Sequence, residues 1–127
     1  MPQAATRLFD NVARQDHLHF TRPSGEIDYK GVATFLDFDK KDLSRIADVK
    51  QASVRFDEKI PGDLAQRLKE IANIVNLVAE IFEGDADKTA LWFQTPNYHL
   101  GEISPRNMIR AGRYKRLLKF IQEARES

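Results

Sequence analysis

Three side chains with recognition chemistry, Tyr98, His99 and Glu102, stand within five residues of one another, fenced by Pro96-Asn97 on one side and Ser104-Pro105 on the other. A phenol, an imidazole and a carboxylate on a loop can stack, donate and accept, and no apolar periodicity gives them a reason to be buried. Just beyond Gly112 comes a run of cations and a ring: Arg113, Tyr114, Lys115, Arg116 and Lys119. Guanidinium and ammonium groups in that density can pair with carboxylates or phosphates on a partner. The ingredients of catalysis are missing from the same survey. There is no cysteine, the histidines lie in polar stretches, and no glycine-rich phosphate loop occurs, so no nucleophile, base and oxyanion site can be assembled. The expectation is a protein that binds rather than an enzyme, with no cofactor. His17 and His19 are close enough to share a metal, but a third ligand is not recognisable, and no metal site is expected.

The residues around this loop are of types with special backbone demands. Pro96 and Asn97 end the helix carrying Ala90, Leu91 and Trp92, and Asn97 can close the turn with its own side chain. Gly101 permits a positive φ, and Ser104 before Pro105 is a helix start with its cap. Trp92 and Leu100 read as anchors of this platform rather than as contacts, because a large aromatic at a helix end plugs a gap.

A second set of residues suits nucleic acid. Asp28 caps a helix with Val32, Phe35 and Leu36 on one face, Asp39 caps another with Leu43, Ile46 and Ala47 inward, and Gln51 to Phe56 is predicted to form a third with Val54 inward. The stretch DLSRIADVKQASVRF resembles a helix-turn-helix. In that reading Gln51, Ser53 and Arg55 face base edges, while Lys40, Lys41, Arg45 and Lys50 meet phosphates. Asp48 occupies the turn position where glycine is usual, and Asp57 and Glu58 would repel phosphate. The plain alternative is three amphipathic helices whose polar faces are merely wet.

Between the two regions, Leu64 to Phe82 is the longest periodic segment. Leu64, Leu68, Ile71, Val75, Val78 and Phe82 form one stripe, and Ile74, Leu77 and Ile81 widen it, so this helix is covered on more than one side. It serves as a central spine or seats a second copy, and a homodimer is expected. Helices over Ala86 to Gln94, Ser104 to Ala111 and Arg113 to Ala124 complete an all-α count, with Gly112 at the last bend.

The order Ala90, Trp92, Pro96-Asn97, Leu100-Gly101, Ser104-Pro105, Gly112 resembles the toxin-binding domain of the Xre/MbcA/ParS antitoxins, over Leu68 to Ser127. Glu102 stands where that family commonly has a second glycine, and Asn107 where an aspartate is usual. The resemblance implies an antitoxin of a bacterial type II toxin-antitoxin system. It also implies a RES-domain partner that consumes NAD or transfers ADP-ribose, held inactive by occlusion from the C-terminal end. In that family a helix-turn-helix-like region precedes the toxin-binding region, which implies operator DNA as a second partner and repression of the antitoxin's own operon. A DNA-binding repressor whose C-terminal half only dimerises is the alternative.

The expected organisation is therefore a tail or linker over 1–26, a helix-turn-helix-like region over 27–60 and a helical toxin-binding domain over 61–127. Composition sets the outer bounds. With 127 residues, 42% hydrophobic and 31% charged, the chain can bury a core, and 20 basic against 19 acidic residues make a net charge that selects no partner class. The charge is unevenly placed, acidic from Asp57 to Asp87 and basic from Arg106 onward. No apolar run can span a bilayer and no secretory signal is recognisable, so a cytoplasmic protein without a membrane partner is expected.

Overall fold

The computed structural model describes Ala13 and residues 15–126; the remainder of the expected tail and the last residue lie outside the described residues. Six α-helices are present among them: α1 (Tyr29–Phe35), α2 (Lys40–Ala47), α3 (Gly62–Ile81), α4 (Ala86–Gln94), α5 (Pro105–Arg110) and α6 (Tyr114–Glu126). Two single 3-10 turns, Gln51–Ser53 and Tyr98–Leu100, interrupt the connections. The described residues contain no strand, only isolated bridges between Thr21 and Ile27 and between Asn97 and Ile103. The all-α expectation holds.

Helix starts follow from side-chain chemistry. Asp28, Asp39, Asp85 and Ser104 each accept a hydrogen bond from the backbone N–H three residues on, and Asp42 returns the bond to the Asp39 N–H, closing a capping box. Pro105 occupies the first turn of α5, where no N–H is needed.

Helix ends are less conventional. After α1 the Phe38 N–H donates to the Ala33 carbonyl and the Asp37 N–H to that of Thr34, with Asp37 left-handed at φ 55°. Asp48 (φ 53°) and Glu83 (φ 55°) take the same position after α2 and α3, Glu83 being followed by the left-handed Gly84 (φ 83°), and after α5 that position falls to Gly112.

α3 is the spine. It packs against α1, α2, α4 and α6, while α5 bridges α2, α4 and α6. Leu64, Leu68, Ile71, Ile74, Val75, Leu77 and Val78 are all buried within the one chain, so both apolar stripes of α3 are covered, although Ile81 at its end is half exposed. Phe93 is the largest of the fully buried side chains, and Trp92 beside it is only half buried, with the two rings edge-to-face at 5.1 Å.

Asn76 is a buried amide on this apolar helix, and it docks the chain that precedes α1. Its Oδ1 accepts from the Leu18 N–H and its Nδ2 donates to Asp16, whose carboxylate also accepts from the Phe20 and Thr21 N–H groups. Burial works to raise the Asp16 pKa, yet these donors hold it below the usual carboxylate range.

Candidate functional site

The loop over 96–104 is built by its backbone. The Asn97 carboxamide accepts from the His99 N–H at 2.9 Å, the Asn97 carbonyl accepts from Leu100 and Glu102, and the Asn97 N–H donates to Ile103. Leu100 and Ser104 are buried beneath, while Gly101 takes the left-handed conformation at φ 79°. Glu102 follows it at φ 64°, so the carboxylate standing at the second glycine position is held in glycine's conformation.

What the frame presents is apolar and aromatic. Tyr98 is 80% exposed and Ile103 37%, large values for residues of their kind. His99, also exposed, stacks its ring on Phe120 of α6 at 6.4 Å and meets the Tyr98 ring edge-on. The loop and the last helix thus share one aromatic seam. Beside it, Lys115, Arg116 and Lys119 project from the face of α6 opposite the buried Leu117 and Ile121, and Arg113 lies just before the helix. None of the ion pairs among the described residues uses these four cations.

Tyr114 differs from its neighbours. It is half buried, with the Arg67 guanidinium 4.1 Å above its ring, so its ring ties α6 to α3. In the basic C-terminal stretch Arg125 pairs with Glu80 at 3.0 Å, and two cations nearer its start are likewise engaged internally. Arg106 donates to the carbonyls of Leu36 (2.5 Å) and Asp37 (2.6 Å) and sits over the Phe38 ring, and Arg110 donates to Asp42 at 2.8 Å. Burial would raise the Asp42 pKa, but the Asp39 N–H, the Arg110 hydrogen bond and the Arg106 charge bring it below the ordinary value. Residue type alone does not separate these arginines from Arg113 and Arg116, because the acceptors lie about seventy residues away in the chain.

The second candidate surface is arranged differently from its expectation. Gln51 to Phe56 does not form a helix: a single 3-10 turn over Gln51–Ser53 gives way to extended backbone at Val54. Lys50 supplies no side-chain cap, and burying Val54 draws the β-branched residue out of helical register. Gln51 and the half-buried Ser53 are therefore presented from a turn, and the Arg55 fork grips the Asp57 carboxylate in a two-pronged ion pair. Lys40, Lys41, Arg45 and Lys50 are exposed. His17 and His19 gain no metal-binding company, since the described residues contain no group of three potential ligands. No helix among them is long and apolar enough to cross a membrane.

Among the described residues, six helices carry an aromatic seam beside cations that make no ion pair there. The chain is similar to a curated protein named Antitoxin Xre, from Photorhabdus laumondii, at 30% identity over 76 residues that cover 57% of this chain and 51% of that protein. This chain thus spans about half the length of that relative, and the likeness supports a relationship to Xre-type antitoxins at a coarse level. No protein-family model matches, and no solved structure matches.

Proposed function

We propose that this chain is the antitoxin of a bacterial type II toxin-antitoxin pair and that it binds a RES-domain toxin, which consumes NAD or transfers ADP-ribose, and occludes its active site. The observation that carries this reading is the juxtaposition of the exposed Tyr98 and Ile103 with the cations of α6, on a loop cross-braced through Asn97. An exposed tyrosine on a stiff frame loses little entropy on docking, and tyrosine and arginine carry much of the energy at protein interfaces. The contact set is Tyr98, His99, Glu102, Arg113, Lys115, Arg116 and Lys119, with Tyr114 positioning the helix, and the protein acts in the cytoplasm as a homodimer without catalysis of its own.

Expressing the product of the reading frame adjacent to this gene, with and without this chain, tests the reading. Growth arrest relieved only by the wild-type chain is expected; unaffected growth in both cultures removes it.

Repression of its own operon is a second reading, favoured by the exposed Lys40, Lys41 and Arg45 on α2 and Lys50 and Gln51 after it. A gel shift on upstream DNA at stated salt decides it, and binding unchanged by Gln51→Ala and Lys41→Ala would eliminate this surface.

A further inference from the structure

The joint between α1 and α2 is strained and clamped. Asp37 holds φ 55° although it carries a side chain, in the position where a glycine would rest without cost. Its carbonyl and that of Leu36 both accept from Arg106, which stands in the first turn of α5, two residues after that helix's cap, Ser104. Arg110, one turn on, fixes the α2 side of the same joint through Asp42. Two hydrogen bonds from a cation to backbone carbonyls add to the Phe38–Ala33 and Asp37–Thr34 bonds of the helix end in holding one left-handed aspartate, and losing them shifts that balance toward the relaxed backbone.

We infer that Arg106 is a positioning residue that latches this joint, so that displacement of α5 by a partner on the Tyr98–Glu102 loop is registered as a change in how α2 presents Lys40, Lys41 and Arg45. The two-state element is the Asp37 backbone: left-handed while Arg106 is seated, relaxed when it is withdrawn. The ends are linked by the backbone from the loop through Ser104 to Arg106, by the Arg106 hydrogen bond to Asp37, and by the backbone from Asp37 to the Asp39 cap of α2. The coupling half of this inference rests on the loop being a partner surface; the latch itself does not.

Hydrogen exchange on the full-length protein tests both. Arg106→Gln is expected to speed exchange of the Phe38 and Leu43 amides about tenfold or more while leaving the middle of α3 unchanged. Adding Asp37→Gly to Arg106→Gln should return those amides most of the way to the wild-type rate, because glycine holds the left-handed joint unaided. Arg106→Lys, which keeps the charge but loses the fork, should fall between the two and serves if Arg106→Gln does not fold. Unchanged exchange in Arg106→Lys or Arg106→Gln, or no rescue by Asp37→Gly, overturns the latch. With the toxin bound, exchange of the same two amides should change in the wild type and not in Asp37→Gly/Arg106→Gln. An identical response in both overturns the coupling, whereas failure of the toxin to bind at all overturns the functional reading and leaves the latch result standing.

Discussion

Asp48 shows how much one residue's conformation can hold. Its left-handed backbone costs a non-glycine residue on the order of 1 kcal/mol, and its carboxylate sits at a helix C-terminus where the dipole disfavours negative charge. Asp48→Gly is therefore expected to raise stability by roughly 0.5–1 kcal/mol in denaturant titration, unless unfolded-state entropy gained by the glycine offsets it; a clear loss would show that the aspartate has a compensating contact. Asp16 and Asp42 make the opposite case, since each has a folded-state pKa below its unfolded one. Their contribution is complete above the ordinary aspartate value, about 3.9, and is lost as pH falls through the lower folded values. Thermal melts from pH 6 to pH 2 should show that acid loss, and Asp42→Asn, already lacking the charge, should show a shallower one. The Asn76 amide serves both Leu18 and Asp16, so Asn76→Leu should cost about 1–3 kcal/mol and raise exchange of the Leu18 amide.

At the scale of elements, α4 and the loop after it stand on Phe93. Because that ring is fully buried, Phe93→Ala should cost about 3–5 kcal/mol, and a melt displaced by much less would mean the site collapses around the vacancy. Several elements were legible in the sequence because their signals are local. The caps at Asp28, Asp39, Asp85 and Ser104 announce helix starts, and Pro96-Asn97 and Gly112 announce ends, since each acts within a turn of itself. Asp37 was not legible as a left-handed helix end, because nothing local distinguishes it from an exposed aspartate. The pattern over Gln51 to Phe56 suits a helix, but burial of Val54 goes with extended backbone there, which residue pattern does not register. Trp92 drew attention by size, yet Phe93 is the deeper anchor, and two adjacent aromatics at a helix end cannot be ranked without knowing which face meets the core. Arg106 and Arg110 were legible only as charge. Their partners are set by tertiary structure, as is the Arg67–Tyr114 contact that half buries Tyr114.

For the molecule as a whole, the core runs without a break from Val32 and Leu36 through α3 to Leu117 and Ile121. Regions expected to act on different partners thus share one set of buried contacts, and Arg106 and Arg110 lace them together at the surface. Unfolding should be a single transition, with far-ultraviolet dichroism and Trp92 fluorescence superimposing on one denaturant curve. In the proposed reading the Tyr98 loop and the cationic face of α6 form the surface that silences a toxin. Its most direct measurement is a titration of the adjacent-frame product with the full-length chain, reading NAD consumption and complex formation together. The account predicts a stoichiometric loss of activity, with Tyr98→Ala and Arg116→Glu each weakening binding by about tenfold or more while melting like the wild type. A complex that leaves NAD consumption intact, or variants that bind and inhibit as the wild type does, would contradict it.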